Sequence, residues 1–359
     1  MSNYVEYKNV IAFHPGYYVK ETIEEYGITQ EDFAKRLNTT PKNLSVLLSG
    51  DQGLSGDMAM KLSRMLGTTV EYWMNLQSKY DALIAEIKAE ETIVKEREVF
   101  EMIDYRYFID NCGLPHIPRR VEEQMKCVRE YIGVASLEVL KNKDLAVSFR
   151  SENTELSESN IVNANAMVQI AIKKALETEA PDYNKSKFLK AIEYALTLTS
   201  RHEDFYPLVK EAFREAGVVL IALPNLKGSK INGATKRLGK KVLLMVNDRR
   251  MSSDIFWFSM LHEAGHIVNG DYMITFTGEE DDIEKLADEY AGNKLIPQEK
   301  YKEFTSKGIF NEQTIRIFAE EINRDPGIVL GRLQKDNYLS FGNNTLNKKL
   351  KYKYEVVTS

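Results

Sequence analysis

The sequence predicts an α+β protein that is mainly α, and three observations lead there. Short apolar-periodic segments, each closed by Gly or Asn, follow one another through the first eighty residues. The strand-sized apolar runs, Val218–Leu223 and Val242–Val246, lie close together in the second half. Between them and the C-terminus an apolar helical approach from Phe256 leads into His262-Glu263-Ala264-Gly265-His266, an H-E-x-x-H pattern. At 359 residues the chain has room for two or three domains with a substantial core. The expected order is a five-helix domain over 1–80, a helical middle over 81–205, a small-sheet domain over 206–300 and a helical region over 301–359.

Composition narrows the function classes. Hydrophobic residues make up 43% and charged residues 28%, the balance of an ordinary soluble protein. A net charge of −5 excludes an overall field toward nucleic acid or membrane, so any DNA contact must be local. Cys112 and Cys127 are the only cysteines, which excludes a disulfide framework and a Cys-based zinc module; they read as free thiols in a reducing compartment. Met1 to Gly16 has neither a basic lead nor an apolar core, so no export signal is expected. No apolar run approaches a membrane span. A cytoplasmic protein is expected.

In the first eighty residues His14-Pro15-Gly16 opens a helix, and Thr29 caps a second that runs to Leu37. Asn38-Thr39-Thr40 turns the chain into a third helix, Pro41 to Ser49, with Pro at its first position and Gly50 after its end. Ser55 to Leu66 and a segment from Val70 follow. Short helices joined by tight turns are the helix-turn-helix layout, whose second helix enters the major groove. Eight Lys/Arg against nine Asp/Glu in residues 1–80 imply weak or dimer-dependent DNA binding. Trp73, Leu76, Tyr80, Leu83 and Ile87 form an apolar stripe, read as core or a dimer seam.

The patterns H-P-G, T-Q-x-x-F-A-x-x-L, N-x-S-x-x-L and Glu71-Tyr72-Trp73-Met74-Asn75-Leu76-Gln77 resemble the XRE-type domain of HigA-like antitoxins, over about residues 10–80. The resemblance implies DNA contacts at the start of the third helix, from Thr40, Lys42, Asn43 and Ser45. Asn suits adenine, and Lys suits guanine or phosphate.

From Ala82 to Asn111 a charge-rich helical spacer is expected, then helices over Val121–Lys141, Ser159–Glu177, Lys185–Ser200 and Asp204–Gly217. Phe149 to Asn153, followed by Asn163-Ala164-Asn165, marks the turn into a helical platform. His116 and His202 are isolated and read as surface or capping residues. Strands are expected over Ala216–Leu223, Asn232–Thr235 and Lys241–Asn247. Lys241–Asn247 is the candidate edge for pairing with an extended substrate, with an interior strand as the equal alternative. Beyond Pro297, helices are expected at Asn311–Glu321 and Ile328–Lys335, and Lys348 to Lys353 reads as a solvated basic tail.

Four residues is just over one helical turn, so His262 and His266 leave the same helix face and can grip one ion. Zinc takes imidazole nitrogen at about 2.0–2.1 Å, and a catalytic site uses three protein ligands plus water. Glu263 is placed to act as general base on that water. The metzincin spacing is excluded, because Asn269 and Tyr272 stand where glycine and histidine would be required. Glu284 is the candidate third ligand, with Asp271 as a weaker rival. Asp288, one turn after Glu284, suits a partner for the far nitrogen of a ligating histidine. Tyr272 and Tyr290 are candidate oxyanion stabilisers.

The H-E-x-x-H helix, the run Glu284-Lys285-Leu286-Ala287-Asp288-Glu289-Tyr290-Ala291 and Leu295-Ile296-Pro297 together resemble the ImmA/IrrE family of zinc metallopeptidases. With the N-terminal resemblance this implies a zincin-like peptidase domain on a DNA-binding regulator. The implied partners are the protein's own operator as double-stranded DNA, a second copy in a homodimer, and a protein substrate such as a repressor or toxin partner. Two other readings stand beside the endopeptidase. One is a repressor or antitoxin whose zinc fold is structural or sensory; the other is a hydrolase of a non-peptide amide.

Overall fold

The computed structural model describes residues 4–143, 145, 156–250, 252–272, 274–276 and 282–356. The chain divides into two compact units, Met1–Lys95 and Glu96–Ser359.

The first unit opens with a hairpin that the sequence reading did not include. Strands β1 (Tyr4–Tyr7) and β2 (Val10–Phe13) pair antiparallel, with Tyr4 opposite Phe13 and Tyr7 opposite Val10. Lys8 turns the chain at φ 54°. Helices α1 (Pro15–Tyr26), α2 (Gln30–Arg36), α3 (Pro41–Ser49) and α4 (Gly56–Leu66) follow, and α5 (Val70–Phe100) crosses the boundary between units. The five expected helices are present. The expected boundary at 80 falls inside α5, where no turn residue interrupts the helix.

Each motif of this unit has a packing role. His14 caps α1 by accepting at Nδ1 from the Gly16 N–H, 3.0 Å away. A Cβ on Gly16 would lie 2.0 Å from the Leu47 carbonyl oxygen, so only glycine lets α1 sit this close to α3. Trp73 is 2% exposed and donates its indole N–H to Thr68 at 2.8 Å. Gln77 is buried and accepts at Oε1 from the Leu54 N–H at 2.7 Å. Around them Val19, Phe33, Leu44, Leu47, Leu62 and Trp73 belong to one core.

The second unit begins with α6 (Tyr105–Cys112) and α7 (Val121–Ile132). The single helix expected over Val121–Lys141 is broken at Gly133, which takes φ 74°, and Leu137–Lys141 is a short 3-10 helix. Phe149 to Asn153 lies outside the described residues. Helix α8 (Glu158–Glu177) is capped by Ser157 and carries Asn163 and Asn165 inward, bonded to the Met102 and Leu140 carbonyls. Next come α9 (Lys185–Leu196), α10 (Phe205–Glu215), β3 (Val218–Leu223), β4 (Ile231–Leu238), β5 (Lys241–Asn247) and α11 (Ser253–Asn269). Strand β6 (Ile274–Phe276) and helices α12 (Asp282–Leu295), α13 (Gln298–Ser306), α14 (Glu312–Glu321), α15 (Pro326–Lys335) and α16 (Asn344–Leu350) complete it.

The sheet order is β3-β5-β4-β6. Strand β5 is parallel to β3 and antiparallel to β4, and β4 is antiparallel to β6. The candidate edge strand Lys241–Asn247 is therefore interior. Its unbroken apolar run, fully buried from Val242 to Val246, is what a strand covered on both faces requires. One core joins Phe188 of α9, the sheet, Trp257 of α11, Phe318 of α14, Leu330 of α15 and Leu350 of α16. No structural break occurs at the expected boundaries 205 and 300, because the flanking helices share this core with the sheet.

Two further expectations are corrected. His202 is not a surface residue: its Nε2 lies 3.1 Å from Asp325, its Nδ1 2.7 Å from the Tyr354 hydroxyl, and its ring stacks on Tyr352 at 3.5 Å. The basic tail is anchored at Lys351, whose ammonium pairs with buried Asp254 at 2.7 Å. The Tyr352 carbonyl accepts from the Ser253 N–H at 2.9 Å, which draws the tail against the start of α11. His116 is exposed, as expected. Among the described residues no helix is long and apolar enough to cross a membrane.

Candidate functional site

Helix α11 packs against β4 and β5, and against α12 and α15. Nearly every residue from Phe256 to Ile267 is buried, so the helix is apolar all round except where its ionisable side chains meet one another. Gly265 makes this possible. A Cβ there would meet the Tyr290 ring at 3.1 Å and the Ala287 Cα at 3.4 Å, so its absence lets α12 approach closely. That approach brings Glu284, at the start of α12, to the two histidines.

The three candidate ligands converge. His262 Nε2 lies 3.0 Å from Glu284 Oε2, His266 Nε2 lies 3.4 Å from Glu284 Oε1, and the two Nε2 atoms are 3.0 Å apart. Ligand atoms placed tetrahedrally at zinc bond lengths would be separated by about 3.3 Å. The donor set and its spacing fit a zinc ion. Among the described residues this is the one such cluster, and Asp271 is not part of it. Helix α11 ends at Gly270 with φ 85°, and the Asp271 N–H turns back to the His266 carbonyl.

The expected partner is also in place. Asp288 Oδ1 lies 2.9 Å from His262 Nδ1, which directs the other ring nitrogen toward Glu284. Lys335, from α15, donates to Asp288 Oδ2 at 2.8 Å and lies 4.5 Å from the centre of the Phe258 ring. Burial opposes charge on His262, but hydrogen bonds to Asp288 and Glu284 and the neighbouring carboxylates outweigh it and raise its pKa to about 10. Burial likewise opposes ionisation of Glu284, yet its hydrogen bonds to both histidines prevail and lower its pKa to about 2. Asp288 is lowered too: burial works against it, and the bonds to His262 and Lys335 win. Zinc binds neutral imidazole, so an ion seated here would take the place of the proton that His262 holds between Glu284 and Asp288.

Glu263 is 0% exposed and lies against β4. A Cβ on Gly233 would fall 2.4 Å from Glu263 Oε1, so the strand opposite this carboxylate must carry glycine. The cluster opens into a cleft of about 860 Å³. Apolar Ile255, Phe258 and Ile328 line it together with Asn232, Lys335 and Lys351. Neither Tyr272 nor Tyr290 is among the lining residues. The Tyr290 ring instead packs on Gly265 beside Lys294, which removes the geometric ground for an oxyanion role. Sequence reasoning missed Asn232, Gly233, Lys335 and Lys351. Only Gly233, in an otherwise strand-like run, carried a signal of close approach.

In the first unit α2, the turn at Asn38 (φ 49°) and α3 form the helix-turn-helix. Leu44, Leu47 and Leu48 of α3 are buried, while Thr40, Lys42, Asn43 and Ser45 are exposed at its N-terminal end. Thr40 also serves as the helix cap, accepting from the Asn43 N–H at 3.2 Å.

Comparison with known proteins bears on this unit. The helix-turn-helix family matches residues 19–73. The uncharacterized HTH-type transcriptional regulator YddM of Escherichia coli K12 is 33% identical over 72 residues, 20% of this chain and 77% of that protein. Virulence-associated protein A' of Dichelobacter nodosus is 39% identical over 69 residues, 19% of this chain and 60% of that protein. Among solved structures, Pseudomonas aeruginosa antitoxin HigA with the higBA promoter is 30% identical, covering 23% of this chain and 89% of that one, with a TM-score of 0.22. Another P. aeruginosa protein, in complex with its 28-base-pair operator DNA, is 29% identical over 23% of this chain and 90% of that one, TM-score 0.22. Through this N-terminal domain, which is of the XRE type, the chain belongs to the helix-turn-helix family. The matches concern the helix-turn-helix region and do not reach the second unit's cleft.

Proposed function

We propose that this chain is an antitoxin-like DNA-binding regulator that also carries a zinc-dependent endopeptidase, acting on a repressor or partner protein in the cytoplasm. The observation that carries the enzymatic half is the convergence of His262, His266 and Glu284 beside buried Glu263, with His262, Glu263 and Glu284 lining a cleft. The DNA-binding half is supported by the family membership and by the exposed polar start of α3. Family relatives named as transcriptional regulators, and an antitoxin solved with its promoter, suggest the protein's own operator as the DNA. A homodimer would present two copies of α3 to a palindromic site.

His262, His266 and Glu284 would hold the zinc. When bound, the ion would polarise the scissile carbonyl and acidify the attacking water. Asp288 keeps the His262 ring oriented through Nδ1, and Lys335 keeps Asp288 in place. Glu263, fixed against Gly233, takes a proton from the water and returns it to the leaving amine. Ile255, Phe258 and Ile328 give the cleft apolar lining against which substrate side chains could pack.

The test joins metal analysis to a cleavage assay. The purified chain should hold one zinc per molecule and cut a protein encoded beside it. Glu263→Gln should keep the metal and lose the cutting, and a variant that still cuts would remove Glu263 as the base. Mobility shift at low salt on the protein's own promoter tests the other half, and no retardation of the wild type there would refute it.

A further inference from the structure

We propose that Phe341, with Ile255 and Phe258, forms an apolar subsite beside the histidines that selects a bulky apolar side chain next to the bond being cut. The inference rests on the peptidase reading and names the substrate class which that reading leaves open.

The subsite begins on α11. Ile255, Phe258 and His262 follow one another at spacings of three and four, so they share one face of the helix. The apolar strip therefore runs directly into the first histidine. Ile255 and Phe258 are both half-buried and line the cleft, and Ile328 of α15, 3% exposed, lines it with them. The Lys335 ammonium sits over the Phe258 ring, 4.5 Å from its centre, and steadies it.

Phe341 joins this strip from the turn between α15 and α16. It is 65% exposed, more than any other large apolar side chain among the described residues, and the only strongly exposed one that lines the cleft. An aromatic ring left in water there has area to bury when a ligand arrives. The turn that carries it is braced. Fully buried Gln334 donates through Nε2 to the Ser340 carbonyl at 3.2 Å and to Asn347 Oδ1 at 2.9 Å. Asn347 in turn donates through Nδ2 to the Phe341 carbonyl at 2.9 Å. The backbone at Phe341 is thus held before any substrate binds, which lowers the ordering cost of binding.

The charged residues of the cleft do not compete for this side chain. Asp254 is paired with Lys351 at 2.7 Å, Arg332 with Asp336 at 2.7 Å, and Asp288 with Lys335 at 2.8 Å. The candidate ligands and Glu263 aside, the other charged lining residues are Arg250 and Glu289, both exposed and of opposite sign. Neither an acidic nor a basic side chain is selected, so the gain comes from apolar area. Burying a leucine-sized group favours binding by about ten- to a hundredfold. Side chains of that kind lie inside folded proteins, so the substrate segment is one that is exposed or locally unfolded.

The experiment titrates the full-length zinc-loaded chain by calorimetry with two succinyl hydroxamates, one carrying an isobutyl group and one unsubstituted. The hydroxamate anchors each probe at the metal, so the pair differs only in the side chain offered to the subsite. The isobutyl probe should bind the wild type at least about tenfold more tightly than the unsubstituted one. Phe341→Ala should cut that ratio to about threefold, and Phe341→Leu should keep most of it. Zinc content, thermal midpoint and affinity for the unsubstituted probe should stay at wild-type values in both variants, because the side chain is exposed. Equal affinity for the two probes would overturn the inference and leave the peptidase reading to its own cleavage assay. A ratio unchanged in Phe341→Ala would remove Phe341 from the subsite. A chain that takes up no zinc and binds neither probe would overturn both the inference and the reading beneath it.

Discussion

Trp73 and Gln77 in the first unit, and His262, Glu263 and Glu284 in the second, are all polar or ionisable groups in the interior, but their surroundings differ. The Trp73 N–H meets a threonine hydroxyl and the Gln77 carbonyl oxygen meets a backbone N–H, while the Gln77 amide nitrogen donates to Asp81, so each polar atom is satisfied. His262 and Glu284 meet other ionisable groups, and each is pushed away from its ordinary pKa by them. Neutral, satisfied groups specify packing at modest cost, whereas charges crowded in a low-dielectric pocket cost stability unless they serve a ligand. The helix-turn-helix unit thus carries its candidate contact residues on the exposed start of α3, and the second unit carries its candidate ligands inside. Substituting Trp73 or Gln77 should therefore act on the stability of the first unit, and substituting Glu263 on the function proposed for the second.

The sharpest break of that comparison is Glu263→Gln. Cleavage should fall by at least about a thousandfold, with zinc content and fold unchanged. Trp73→Ala should destabilise the first unit by about 3–5 kcal/mol and leave zinc binding alone; a chemical denaturation curve followed together with metal content separates the two. Gly233→Ala should lower cleavage about a hundredfold, since the added carbon overlaps the Glu263 carboxylate. If activity survived, the base would have to be able to sit elsewhere. Asn43→Ala is a smaller effect, about a tenfold loss of operator affinity with an unchanged melting curve.

The smallest concerns pH. Burial, with nearby Asp254 adding to it, raises the Asp325 pKa to about 7, although the Gly327 and Ile328 N–H groups favour its charged form. A folded-state pKa above the unfolded value contributes stability that is full below about pH 4 and is lost as pH rises through 7. Between pH 5 and 8 the denaturation midpoint of the second unit should decline more in the wild type than in Asp325→Asn. Equal slopes would remove Asp325 as the cause.

Much of this was legible in the chain. Capping residues and terminal glycines placed α1 to α4 to within a residue or two, because helix ends are decided by local backbone hydrogen bonding. The four-residue spacing of His262 and His266 put both rings on one face for the same local reason. The hairpin Tyr4–Phe13 was missed although its alternation and Lys8-Asn9 turn are visible; it is short and open-edged. The break at Gly133 was readable as a stop signal and was read through. Lys335 and Lys351 gave no local sign, since a lysine near a helix end is ordinarily solvated. Their roles depend on α15 and on the tail arriving beside residues that are far away in the sequence.

Taken alone, the sequence determined what lies within one or two turns of backbone: the helices and their caps, the shared face of the two histidines, and the helix-turn-helix with its exposed Lys42, Asn43 and Ser45. Those follow from fixed helical geometry and from which side chains water accepts. The tertiary structure decided that β5 is interior, that α12 rather than Asp271 delivers the carboxylate, and that the turn after α15 brings Phe341 to the cleft. Such choices turn on which distant surfaces pack together, and on single absences of a Cβ at Gly233 and Gly265 that matter only once a neighbour has arrived.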